Sequence, residues 1–110
     1  MTHPSANPFR GEASLPLAGS PRLLRPSFAA LVAAEEELGP LFALVERAGA
    51  GQLKLAELAG LFWHCLADRE GLSREAVGEA VMAMGLAEAS KPLRLLLSQI
   101  LQGRADPPAP

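Results

Sequence analysis

The sequence predicts an α+β fold that is mainly α: an N-terminal β-hairpin followed by about five short helices in a compact bundle. Three observations predict it. Between Phe9 and Arg25 short apolar segments alternate weakly around a turn signal, from Ser27 to Gln102 apolar residues recur at helical spacing, and glycines interrupt that recurrence. Each predicted helix has one apolar face and is too short to persist alone in water, so the helices must pack together.

The hairpin is expected over residues 9–25. Glu12 to Leu17 forms the first extended segment, Ala18-Gly19-Ser20 the turn, and Leu23-Leu24-Arg25 the return. Pro16 and Pro21 have no N–H to give to a ladder, which restricts these strands to edges. Ser27 can cap the first helix, where Phe28, Leu31 and Val32 share a face that Leu38 continues, and Gly39-Pro40 stops it. Glu35, Glu36 and Glu37 crowd its last turn, where the helix dipole disfavours acids.

Pro40 opens a second helix with Leu41, Leu44 and Val45 on one side, ended by Gly49-Ala50-Gly51. The third is expected from Leu55 to Arg69, closed by Gly71. Ser73 can cap the fourth, in which Val77, Ala80, Val81 and Met84 repeat at helical spacing before Gly85. The fifth runs to Gln102 with Leu93, Leu96, Leu97, Ile100 and Leu101 as its stripe, and Pro92 fits only in its first turn or at a kink. These elements make one domain, 9–103, between flexible tails at 1–8 and 104–110; the last of these is Pro-rich.

Composition narrows the function. The 110 residues carry a net charge of −2 with no run of basic residues, so no nucleic-acid surface is expected. One cysteine makes no internal disulfide, and neither a signal sequence nor a long apolar run is present, which leads to a cytoplasmic expectation with no membrane association.

The stretch Leu61-Phe62-Trp63-His64-Cys65 holds the only tryptophan and the only cysteine of the chain. Leu58, Leu61, Phe62, Cys65 and Leu66 fall on one helical stripe, which makes Cys65 a small core residue. His64 lies about 100° around the helix from it, on a polar side with Glu57 and Asp68. A metal set of those three lacks the ligand spacing of a zinc site, and a solvated face is expected instead. Neighbouring residues on a helix point apart, which excludes a Cys–His nucleophile. The loop AGAGQLKLAEL has neither the acids of a calcium loop nor the GK[ST] of a phosphate loop. No enzyme, metal or cofactor is expected. Trp63 and Met82 fall beside their stripes, each either a lid on the edge of the core or part of a partner-facing patch.

From Phe9 to Arg104 the chain resembles the tail assembly chaperones of gene transfer agents and related prophages. The resemblance lies in Arg10-Gly11-Glu12, Leu24-Arg25-Pro26-Ser27-Phe28, Ala30-Leu31 with Glu35, Glu36 and Leu38-Gly39, and Gly51-Gln52-Leu53 leading to Glu57-Leu58. It continues through Leu61 to Leu66, Leu72-Ser73, Gly78 and Leu96 to Leu101. It implies a cytoplasmic protein of the bacterial host that assists tail-tube assembly, holds the tape-measure protein before tube subunits surround it, and is absent from the finished particle. The implied partners are therefore tape-measure and tail-tube proteins. Trp63, Met82, Glu35, Glu36, Arg10 and Arg25 are the candidate contact residues, with the acids steering a basic partner; Arg10, Glu12, Arg25 and Glu35 have the alternative role of holding the hairpin on the first helix. The competing reading is a small helical DNA-binding or regulatory module, which a basic stripe and steep salt dependence would mark.

Overall fold

The computed structural model describes residues 13–17 and 19–102. The expected tails, Arg10 and Glu12 lie outside the described residues. The order of elements is β1 (Ala13–Leu17), β2 (Ser20–Leu24), α1 (Phe28–Leu38), α2 (Leu41–Gly49), α3 (Leu55–Cys65), α4 (Arg74–Met84) and α5 (Leu86–Gln102). The mainly helical α+β architecture is the one the sequence predicts.

The hairpin pairs Leu17 with Ser20 and Ala13 with Leu24, and Gly19 at φ +83° supplies the left-handed residue of the tight turn. Ala13, Leu15 and Leu17 point inward and are buried, as the two-residue period of a strand requires. Pro16 faces Pro21 across the ladder. Leu23, two residues beyond Pro21, turns its carbonyl away from β1 to accept the Ala67 N–H at 3.0 Å. Pro21 shares that orientation by alternation, so the N–H groups that the two prolines lack would not have joined the β1–β2 ladder.

The outer edge of β2 also explains why α3 is shorter than predicted. It ends at Cys65 rather than Arg69, because Leu66 turns extended (φ −61°, ψ 125°) and bridges Leu24. The Arg25 N–H donates to the Cys65 carbonyl at 2.6 Å, completing the bridge with the Ala67 bond. An unpaired strand edge is thereby covered by the chain leaving the central helix. The Glu70 N–H then bonds Asp68 Oδ1 at 2.9 Å, and Gly71 at φ +74° turns the chain toward α4.

Helix α3 is the axis of the core. Leu58, Ala59, Gly60, Leu61, Phe62 and Cys65 are buried along it, between α1 on one side and α4 on the other. A Cβ on Gly60 would sit 3.4 Å from Leu38 Cδ2, so glycine lets α1 approach closely. Beneath them β1 packs against α4 and α5, contributing Leu15 and Leu17 to the same core as Val77, Val81 and Leu96. The Ser27 and Ser73 hydroxyls each accept a backbone N–H, from Ala30 and Ala76, both at 3.1 Å.

Two predicted faces are corrected by the packing. In α1 the inward residues are Ala34 with the half-buried Ala30, Leu31 and Leu38, whereas Phe28 is 86% exposed and Val32 is also exposed. Only part of the α5 stripe is covered: Leu96 is buried, Leu93 packs on the core, and Leu101 is 65% exposed. Pro92 lies seven residues into α5, beyond the first turn, and is buried. It removes the i→i−4 bond that Glu88 would have accepted.

Candidate functional site

The five residues Leu61 to Cys65 separate into three environments. Leu61, Phe62 and Cys65 are wholly buried. Burial pushes the Cys65 thiol up to about 12, because a thiolate loses its hydration there, and the side chain packs within the core. His64 turns the other way, with Nε2 2.7 Å from Glu37 Oε1. Arg74 grips the same carboxylate in a fork, with Nη1 on Oε2 and Nη2 on Oε1. These bonds, first from Arg74 and then from His64, hold the Glu37 carboxyl down at about 2. The node ties α1, α3 and α4 together. Trp63 is half-buried against the core, with the Arg69 guanidinium 4.9 Å above its ring.

Glu57, His64 and Asp68 do not converge. Glu57 Oε1 accepts from Arg47 Nη1 at 2.7 Å and from the Lys54 N–H at 2.9 Å, which lowers its carboxyl to about 2. Asp68 caps the following turn, and His64 is bound to Glu37. Among the described residues, no three His, Cys, Asp or Glu side chains gather as metal ligands.

The acidic end of α1 is divided in the same way. Glu35 Oε2 accepts the Leu41 N–H at 3.0 Å, placing a carboxylate at the N-terminus of α2, where the helix dipole favours it. Glu37 belongs to the ionic node, and only Glu36 of the three has no such bond. The apparent conflict at the end of α1 is thus resolved by the next helix and by Arg74.

Of the expected contact residues, Arg25 lines a cavity of about 310 Å³ with Ser27, His64 and Arg69, beside Trp63 through their shared neighbour Arg69. Met82 lies elsewhere. It is 61% exposed in an open groove of about 650 Å³ between α3 and α4, which Leu55, Ala56, Ala59, Glu75, Gly78 and Glu79 also line. A second apolar surface joins Leu41, Phe42 and Val45 of α2 to Ile100 and Leu101 of α5, with Phe42 88% exposed. Sequence reasoning singled out Met82 but not the groove around it, and it missed the second surface. The signal for the first was present: Glu75, Gly78, Glu79 and Met82 stand at i, i+3, i+4 and i+7, opposite the core face of α4.

The cations of the described surface are largely occupied. Arg22 bonds the carbonyls of Asp68 and Glu70, Arg47 pairs with Glu57, Arg74 with Glu37, and Lys91 with Glu88. No helix among the described residues is long and apolar enough to cross a membrane.

The fold and its described surfaces define a small, mainly helical α+β protein with two apolar grooves between helices. Residues 10–103 match the family described as phage tail tube protein, GTA-gp10, and the chain belongs to that family of gene-transfer-agent and phage tail proteins. No curated protein and no solved structure matches the chain. The family agrees with the resemblance at the level of the tail, while its description names a tube protein where the resemblance named an assembly chaperone.

Proposed function

We propose that the chain is a tail assembly chaperone that binds tape-measure and tail-tube protein during tail assembly, in the host cytoplasm, without catalysing a reaction. One observation carries the reading: a member of a tail family exposes large apolar side chains, Phe42, Met82 and Leu101 among them, along two grooves between helices. Grooves of this kind accept the apolar face of a partner helix. Their shallowness suits a contact that tube subunits later displace. Trp63, Arg25 and Glu36 remain candidate contacts of the second rank, since none of the three lines either groove. Glu35 has a capping bond to keep.

Affinity capture of the tagged chain from cells expressing the neighbouring tail genes tests it. Recovery of a tape-measure or tube protein in the capture, together with absence of the chain from purified particles, is the expected result. The printed description of the family favours a second reading, in which the chain is itself a tube component. Retention of the chain in particles in stoichiometric amount would establish that reading and refute the first.

A further inference from the structure

We propose that the α3–α4 groove docks an amphipathic helix of a partner protein that carries Lys or Arg beside its apolar stripe. The inference rests on the reading of the chain as a binder of tail proteins and gives that binding a place and a chemistry. The groove floor is made of small residues, Ala56, Ala59 and Gly78. A Cβ on Gly78 would stand 4.0 Å from the Ala59 Cβ, so an incoming helix meets no bulky side chain between α3 and α4. Leu55 and Met82 form the apolar walls, and both are exposed. Methionine adapts its shape to different apolar partners, which suits a transient contact.

Charge decides the occupant. Glu75 and Glu79 stand one helical turn apart on the same face of α4, where like charges repel. Neither has an ion pair or a side-chain hydrogen bond, whereas Glu37, Glu57 and Glu88 are matched by Arg74, Arg47 and Lys91. No Lys or Arg lines the groove. An apolar channel edged by two unmatched acids therefore favours a helix with cationic flanks and disfavours an acidic one. The structure moves the acidic steering from the end of α1, where Glu35 and Glu37 are committed, to α4.

The test uses the full chain and two capped helical peptides of about five turns, identical in their Leu/Ala stripe, one flanked by Lys and the other by Glu. The expected result is that the Lys peptide binds, shifts the amide resonances of Ala56, Ala59, Gly78 and Met82, and weakens with added salt. The double variant Glu75→Gln/Glu79→Gln is expected to weaken it about three- to tenfold, as two exposed charges allow. Met82→Gln should weaken it as well, and all three positions are exposed, so the melting temperature serves as the control for folding. Equal binding of the two peptides, no binding of either, shifts confined to Phe42 and Leu101, or self-association through this groove would overturn the proposal.

Failure of the chaperone reading remains distinguishable. If the triple variant Glu75→Gln/Glu79→Gln/Met82→Gln still captures the same tail protein as the wild type, the groove is refuted and the chaperone reading stands. If the Lys peptide binds here but no tail protein is captured, the groove stands and the chaperone reading falls.

Discussion

Replacing Glu37 with Gln removes the one acid that joins α1 to both α3 and α4. Its carboxyl is lowered from 4.5 to about 2 by Arg74 and His64. Retained in full, such a displacement would stabilise the folded state by about 3 kcal/mol at neutral pH. The Glu37 side chain is 40% exposed, however, and water and salt screen the pair, so the expected contribution is about 1 kcal/mol. Because the folded carboxyl titrates below the unfolded one, this stabilisation is complete above about pH 5 and fades as the pH falls through 4.5 toward about 2. Urea unfolding followed by circular dichroism measures it. The wild type should exceed Glu37→Gln by about 1 kcal/mol at about pH 7, with the gap narrowing sharply by about pH 2. Arg74→Gln should show the same trend, and the double variant should cost less than the two single changes together. A gap of equal size at both pH values, or strict additivity, would refute the ionic account of the node.

Three further expectations follow from the same packing. Cys65, wholly buried with its thiol raised to about 12, should resist thiol reagents in the native protein and label rapidly in denaturant; fast native labelling would contradict its burial. Trp63→Ala should cost about 2 kcal/mol in thermal or urea unfolding, less than the loss of a fully buried aromatic, because the ring only edges the core under Arg69. An unchanged melting temperature with lost capture of a tail protein would instead make Trp63 a contact residue. Gly39→Ala should destabilise by about 1–3 kcal/mol, since Gly39 has φ +98° and ψ −179° with open space around its Cβ position. The penalty is then one of backbone conformation, and a neutral substitution would refute it.

Much of the architecture was legible because its signals act within a turn of the chain. Ser27 and Ser73 cap the backbone three residues ahead, Gly39 and Gly85 take positive φ where two helices stop, and the alternation of Ala13, Leu15 and Leu17 marks the buried side of a strand. The burial of Cys65 could be read from its place in the stripe of Leu58, Leu61 and Phe62. The candidate contacts were less legible. Met82 was found because it falls off the stripe of its own helix, whereas Phe42 and Leu101 could not be recognised as exposed without knowing how far α2 and α5 are covered.

The sequence by itself determined a hairpin, five helices, their main breaks and the burial of the cysteine, since each depends on backbone conformation or periodicity over a few residues. Tertiary structure alone decided that α3 gives way at Leu66 to pair with Leu24, that Phe28 faces outward, and that the three acids ending α1 have different fates. Those outcomes depend on partners far along the chain: Cys65 and Ala67 for β2, Arg74 for Glu37. A helical period ranks the faces of a helix by polarity, but which face is buried depends on the shape and charge of the surface that meets it. The period of α4 groups Glu75, Glu79 and Met82 on one face, but only the packing of α4 on α3 leaves the two acids unmatched beside an apolar groove.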